Sequence, residues 1–319
     1  MPFQRLAPLQ PLKFDLRQAR AFLILAENLH FGRAAERLFM SQPALSRSIR
    51  DLEEAVGVPL LERSTRRVRL TAAGAAFQAE CRLALGHLGR AVRAAQDAAS
   101  GAEGSLRVAY MDFAINGRLP AILQAFRDRH PRAVIDLQYM PTAQQQAALL
   151  EGRIDIGFVI GEFDSPKVVN LLVEQEDFVA LLPEGHRLAA AEVVRVGDLA
   201  TDPFVIGDEA SFSAFRTRVF SLCHAAGFFP TIAQQAPNTS GILGMVAAGV
   251  GVTLFSGSAR NLRRAGVLVK PLADARETIP TFAAWVADHP SPVLQRFRET
   301  MMLNLQTSFV AAAPRARRS

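Results

Sequence analysis

The sequence predicts an α/β multidomain chain with an amino-terminal winged helix-turn-helix, a long linker helix and a carboxyl-terminal pair of α/β lobes. Three observations carry this. Residues 31–56 read as a helix, a tight turn and a second helix that shows arginines on its solvent side. Residues 72–100 hold an apolar heptad seam over nearly four heptads. Beyond Gly104, strand-like runs alternate with helix-like runs, the pattern of layered α/β sheets.

Length and charge agree with this division. The chain has 319 residues, half of them apolar, enough for two or three packed domains. Its formal charge of +6 lies entirely in the first 100 residues, which hold 15 Lys and Arg against 9 Asp and Glu; the remainder holds 21 of each. A basic module joined to a neutral one points to a polyanionic partner for the first. Cys81 and Cys223 lie far apart, without metal-ligand spacing. Two cysteines in such a length fit a reducing compartment and no disulfide scaffold. The opening MPFQRLAPLQPLKF lacks the apolar core of a signal peptide. The longest apolar stretch, Ile242–Phe255, is broken by glycines and too short to span a bilayer. A cytoplasmic protein with no membrane partner is expected.

Residues 1–13, with Pro2, Pro8 and Pro11, read as a flexible arm. A helix follows from Asp15, where Leu16, Ala19, Phe22, Leu23, Ala26 and Leu29 form one face. Residues 14–71 make up the expected DNA-binding domain. In the first helix of the pair Ala34, Ala35 and Leu38 share a side. Ser41 offers a cap to the second helix, and Pro43 sits in its first turn, where no N–H is lost. Leu45, Ile49, Leu52 and Val56 recur at spacings of 4, 3 and 4 and form a buried stripe. The opposite side carries Gln42, Ser46, Arg47 and Arg50: an amide, a hydroxyl and two guanidinium forks, suited to base edges and phosphates in a major groove. The same residues would also serve as the solvated side of an ordinary all-α core. Gly57 and Pro59 end the helix. Leu60–Glu62 and Val68–Leu70 read as short strands around a basic tip, whose Arg63, Arg66 and Arg67 are placed to reach phosphates or a minor groove, or to be solvated.

Thr71 caps the linker, residues 72–103. Phe77, Cys81, Leu85, Leu88, Val92, Ala95 and Ala99 form the seam of a helix roughly 40 Å long. Such a seam wants a partner helix, expected to be its copy in a second subunit, which would set two reading heads on one DNA; packing on its own chain is the alternative. Gly101 and Gly104 read as a hinge.

Residues 104–309 form the two lobes, about 104–180 with 273–309 and about 181–272. Strands are expected at Leu106–Tyr110, Val134–Met140, Ile154–Ile160, Phe178–Leu182, Phe204–Ile206, Val252–Phe255, Val267–Pro271 and Thr281–Val286. Helices are expected at Leu119–Arg129, Gln144–Glu151, Ser213–Ala226, Ser240–Ala248 and from about Pro292 to Ser308. The alternation predicts parallel sheets with helices on both faces and a ligand crevice at the carboxyl ends of the strands. Residues 310–319 read as a disordered basic tail.

An enzyme would need a site, and the motifs do not supply one. Gly249-Val250-Gly251 lacks the third glycine of a dinucleotide loop and runs from helix to strand, the reverse of what that loop requires. There is no HExxH, P-loop, GxSxG or CxxC. The six histidines are scattered, and Asp155 has no adjacent acidic residue in sequence with which to share a proton. No catalytic residue, metal or cofactor is expected. A solute-binding protein whose first hundred residues only oligomerise it remains an alternative; the missing export signal and the arginine-bearing helix weigh against it.

The stretch RAAERLFMSQPALSRSIRDLEEAVGVPLLERSTRRVRLTAAG closely resembles the amino-terminal signature of LysR-type transcriptional regulators. GSLRVAY, GRLPAILQAFRDRHP, EGRIDIGF and LGMVAAGVGVTLF resemble their effector domain, so the likeness covers about residues 14–305. It implies a two-lobed, periplasmic-binding-protein-like α/β effector domain, homodimers assembling to homotetramers on double-stranded DNA, and a small-molecule inducer that alters the DNA bend. RNA polymerase is an additional partner to be expected of such a regulator. By position, Gln42, Pro43, Ala44, Ser46 and Arg47 match the family's DNA-facing residues, and Arg66 matches its wing residue. His30 stands where the family usually has a Ser or Thr cap, so a weaker cap and a modest loss of stability are expected.

The chain looks most like regulators of aromatic-compound catabolism, in which a hydroxyl residue after the first effector strand helps to hold an aromatic carboxylate. Here that place is Phe113, preceded by Asp112. Thr142 matches the second hydroxyl position, at a helix start whose free N–H groups suit an anion. Phe215 and Thr239 fall where relatives line the cleft from the other lobe, and Ser213 is two residues before Phe215. Ile160 stands where some relatives have an arginine. The resemblance thus implies a more apolar, less cationic pocket and an inducer that is a larger or less charged aromatic, unless Phe113 and Phe215 are ordinary core aromatics.

Overall fold

The computed structural model describes residues 12–63, 67–100 and 103–312. Most of the expected arm, Arg66 at the wing tip, Gly101 of the expected hinge and the tail beyond Ala312 lie outside the described residues. The chain divides into two compact units, Met1–Arg90 and Ala91–Ser319.

The first unit opens with α1 (Leu16–Asn28), where Asp15 and Gln18 form a reciprocal capping box. Next come α2 (Phe31–Arg37) and α3 (Gln42–Val56). His30 does cap α2, its Nδ1 accepting the Arg33 N–H at a long 3.3 Å. Ser41 Oγ accepts from Ala44 N at 3.3 Å, with Pro43 in the first turn as expected. α3 ends at Gly57, whose φ of 84° strongly favours a residue without Cβ. Phe22, Leu25, Ala34, Leu45, Ile49 and Leu52 are buried together beneath the three helices. The wing is β1 (Leu61–Arg63) and β2 (Val68–Leu70), antiparallel with Leu61 opposite Leu70.

The turn between α2 and α3 holds Phe39 at φ 54°, with the side chain 98% exposed. A left-handed conformation costs an ordinary residue roughly 1–2 kcal/mol, and asparagine tolerates it better. The exposed ring contributes no burial in return. Phe39→Asn is therefore expected to stabilise the unit by roughly 0.5–1 kcal/mol, read as a higher urea midpoint; an unchanged or lower midpoint would contradict this.

Thr71 Oγ1 accepts from Gly74 N at 2.8 Å and opens α4 (Ala72–Ser100). A Cβ on Gly74 would lie 1.9 Å from the Leu60 carbonyl oxygen, so the helix crosses the wing at a distance that only glycine permits.

The second unit runs β3 (Ser105–Tyr110), α5 (Asp112–Asn116), α6 (Leu119–Arg129), β4 (Val134–Tyr139), α7 (Thr142–Leu150), β5 (Ile156–Ile160) and β6 (Val168–Pro183). It continues through β7 (Pro203–Gly207), α8 (Glu209–Ala225), β8 (Thr231–Ala236), α9 (Thr239–Ala247), β9 (Thr253–Ser256), β10 (Val267–Pro271), β11 (Thr278–Val286) and α10 (Pro292–Ala312). The expected parallel sheets are corrected to a mixed sheet. β3 is parallel to β4 and β5, but β11 lies antiparallel between β5 and β6.

β6 is the exchange point. Val168–Asp177 pairs with β11, and Phe178–Pro183 pairs with β9 and β10 on its two edges. One strand therefore belongs to both lobes. β7 and β8 pair in parallel and join the second lobe through the bridge from Phe204 to Val252. Leu106, Val108, Ile122, Phe126, Phe158 and Phe297 form the first lobe's core. Val179, Leu181, Phe204, Ile206, Val246 and Leu254 form the second's.

A buried ion cluster ties the first lobe together. Asp155, just before β5, accepts from the Arg107 amide at 2.8 Å, from its Nε at 3.2 Å and from its Nη2 at 2.6 Å. His289, before α10, places Nε2 3.3 Å from the same carboxylate. Burial alone would raise the Asp155 pKa, but the nearby His289 ring, the hydrogen bonds from Arg107 and the guanidinium charge outweigh it and hold the carboxyl well below its usual range.

Candidate functional site

Burial of one side of α3 fixes what the other side presents. Leu45, Ile49 and Leu52 lock into the core, leaving Gln42, Pro43, Ala44, Arg47 and Arg50 exposed and Ser46 half-buried. Pro43, Ala44, Arg47 and Arg50 line one open depression of about 700 Å³ together with Arg17 and Gln18 of α1. Arg50 Nε donates to the Ser46 carbonyl at 3.4 Å, which keeps its fork along the helix surface. Arg17 adds a third arginine to this depression, which Asp15 and Asp51 also line.

The wing departs from expectation at Arg63. Its guanidinium pairs with Glu53 of α3 and lies over the Phe31 ring, 5.4 Å from the centroid. Glu53 Oε1 also accepts from Leu60 N at 2.9 Å and Leu61 N at 3.0 Å. The pair fastens the wing to α3, so Arg63 is engaged within its own unit and not extended toward solvent as the sequence reading expects. Arg67 remains on the wing, and Arg66 is outside the described residues.

The linker seam is divided. Phe77 packs edge-on against Phe14 and Phe22, with centroids 5.6 and 5.4 Å apart. Cys81 is buried in the same core, and Leu85 packs against it. Those three residues serve their own chain, whereas Leu88 and Val92 stay exposed at 43% and 58%. Burial pushes both thiols above their ordinary value, Cys223 to about 12, which suits structural and not reactive cysteines.

Between the lobes, Asp112 in the first turn of α5 reaches across to the start of α9. Its Oδ2 accepts from Thr239 N at 3.3 Å and from the Tyr139 hydroxyl at 3.5 Å. Asn261 Nδ2 donates to the Asn116 carbonyl at 2.8 Å, a second link between the lobes. Thr142 Oγ1 accepts from Ile160 N at 3.2 Å and lies 3.0 Å from the Met111 sulfur. Ser213 is half-buried in α8, next to Phe212, whose φ of −124° breaks the helix. Burial and the neighbouring carboxylates Asp112 and Asp208 push the Tyr139 hydroxyl up to about 12, so it stays a neutral phenol.

The apolar pocket expected around Phe113 and Ile160 is filled by the protein. Phe113 is 1% exposed, with its centroid 4.6 Å from Phe215 and 5.1 Å from Phe255. Phe215 stacks on Phe178 at 5.6 Å. Ile160 is buried in the same cluster. Phe113, Ile160 and Phe215 are thus buried in one aromatic and aliphatic cluster, as the reading of the two phenylalanines as core residues expects. Among the described residues no group of His, Cys, Asp or Glu is arranged to hold a metal ion, and no helix is long and apolar enough to cross a membrane.

Residues 16–75 match the family model described as bacterial regulatory helix-turn-helix protein, lysR family, and residues 99–305 match the LysR substrate binding domain. The chain belongs to the LysR family. AlsR of Bacillus subtilis (strain 168), an HTH-type transcriptional regulator, is 34% identical over 89% of this chain and 94% of its own. The crystal structure of CbnR, a LysR family transcriptional regulator, superposes with a TM-score of 0.67 at 28% identity, covering 92% of this chain and 99% of that one. Full-length CbnR complexed with its target DNA gives 0.66.

This LysR-family member is a DNA-binding transcriptional regulator with an effector-binding domain. Sequence reasoning did not single out four residues that the structure places beside the candidate ones. Glu53 lies on the charged side of α3, where nothing marked it as the wing's anchor. Arg17 needed the packing of α1 against α3. Tyr139 and Asn261 meet their partners only through the lobe-to-lobe fold.

Proposed function

We propose that this regulator reads operator DNA with Gln42, Pro43, Ala44, Ser46, Arg47 and Arg50 in a major groove and with Arg66 and Arg67 from the wing. Homodimers formed through the exposed half of the α4 seam assemble to homotetramers, in the cytoplasm, with RNA polymerase as a further partner. A small-molecule inducer enters between the lobes near Asp112, Thr142, Ser213 and Thr239 and changes the DNA bend and transcription. The protein acts by binding and carries out no catalytic step. The observation that supports this most is a capped helix with one side locked in a core and the other presenting Arg47 and Arg50, in the unit that holds the chain's whole charge excess.

The test is fluorescence anisotropy with DNA from upstream of the protein's own gene, over a salt series. Affinity should fall linearly on a log–log plot, with a slope of about −0.9 per phosphate neutralised. No binding at low salt, with or without candidate metabolites, would overturn the proposal. For the seam, Leu88→Glu places a charge at an exposed apolar position that the proposed partner would bury. Sedimentation should show a smaller assembly with the thermal midpoint little changed; an unaltered assembly would remove Leu88 from the interface.

A further inference from the structure

We infer that the effector of this regulator presents a cationic nitrogen, an amine or amidine on an apolar or aromatic body, and not a carboxylate. The inference rests on the cleft reading proposed above and names the ligand class of that site.

The start of a helix attracts an anion because its first N–H groups lack partners. In this cleft the protein's own carboxylate already occupies such a place, with Asp112 Oδ2 accepting the Thr239 N–H at the beginning of α9. The neighbouring helix is served in the same way: Asp208 caps α8, with Oδ1 accepting from Ser211 N at 2.8 Å. Thr142, the hydroxyl at the start of α7, is engaged by Ile160 N and the Met111 sulfur. A ligand carboxylate would meet two fixed carboxylates and find the Thr239 and Ser211 N–H groups taken.

The cationic side of the balance is committed elsewhere. Arg216, on α8, donates to the Gly207 carbonyl at 2.6 Å and pairs with Glu209 at 2.9 Å. Arg118 lies against Glu174. The groups still open to a ligand are of the opposite kind. Asp112 Oδ1 accepts no hydrogen bond from the described residues, and Thr239 Oγ1, on a residue 4% exposed, has no partner among them. Tyr139 bonds Asp112 through its hydroxyl, and its ring packs edge-on to Tyr110 at 6.0 Å while the residue remains 43% exposed. A carboxylate with a free oxygen beside accessible tyrosine rings is the chemistry that recognises ammonium and amidinium groups.

The experiment is isothermal titration of the full-length chain with benzylamine and benzoate as probes, on wild type, Asp112→Asn and Thr142→Val, each first shown to melt cooperatively. Wild type should bind benzylamine at least tenfold more tightly than benzoate, and Asp112→Asn, which keeps the shape and removes the charge, should erase most of that preference. Tighter binding of benzoate by wild type, binding of neither probe, or a preference unchanged in Asp112→Asn would overturn the inference. Thr142→Val separates the two readings. If benzoate binds more tightly and Thr142→Val weakens it, the cleft stands and the cationic class falls. If Thr142→Val and Asp112→Asn both leave the tighter probe unaffected, the cleft reading falls as well.

Discussion

Asp155→Ala should lower the stability of the effector-binding unit by about 3–5 kcal/mol, the scale for removing one partner of a buried ion pair. Arg107 is only 8% exposed, and without the carboxylate its charge stays buried and uncompensated. The single tryptophan gives the readout: Trp285 lies on β11 in the same lobe, 3% exposed, under the Arg298 guanidinium. Urea denaturation followed by its fluorescence should show a much lower midpoint. The double variant Arg107→Met/Asp155→Leu should recover most of the loss, because two apolar side chains leave no charge unpaired. A midpoint within experimental error of wild type for Asp155→Ala would show that the cluster adds nothing.

The same carboxyl sets an acid limit. Its pKa is lowered in the folded state, so the unfolded chain binds the proton more readily as pH falls. The stabilisation is fully present above the ordinary aspartate value of about 4 and is lost as pH drops toward the lowered folded value. Wild type should therefore lose stability below about pH 4 more steeply than Asp155→Ala does.

Arg47→Ala should weaken specific DNA binding by about 1–3 kcal/mol, the loss expected for a bidentate base contact. Arg47 is exposed and forms no ion pair or hydrogen bond among the described residues, so its removal should leave the fold intact. The salt dependence identifies which part of the DNA the guanidinium touches. Removing a hydrogen bond to a base edge leaves the slope in place and relaxes sequence preference, whereas removing one to a phosphate reduces the slope by about one. An unchanged affinity and footprint would move the recognition surface off α3. Arg63→Ala supplies the contrast: it should lower the unit's stability by releasing Glu53 and the wing.

The first unit was legible because short-range rules decide it. Capping residues, a 4-3-4 stripe and a terminal glycine mark α3 within one residue at each end. The sheet was less so. The first part of β6, Val168–Asp177, carries Glu174, Gln175, Glu176 and Asp177, which mask its alternation. β8, TIAQQA, is a polar edge strand with one buried residue, and β11 has a proline as its third residue, at a place that sequence rules assign to a loop. Burial was not legible between the lobes: Phe113 and Phe215 are about a hundred residues apart, and only the fold shows that their rings meet. Arg63 failed for a related reason: its partner Glu53 sits ten residues earlier, across the turn into the wing.

β6 also governs how the two halves can move. Because Phe178–Pro183 continues Val168–Asp177 without a break in the strand, neither half can swing away on a loose tether. One response to a bound molecule is torsion along a hydrogen-bonded ribbon whose edges are gripped by β11 on one side of the crossing and by β9 and β10 on the other. Rotations of that kind are small at the axis and grow with distance from it. The far ends of the lobes would travel furthest, while amide exchange along the paired stretches of β6 would stay slow.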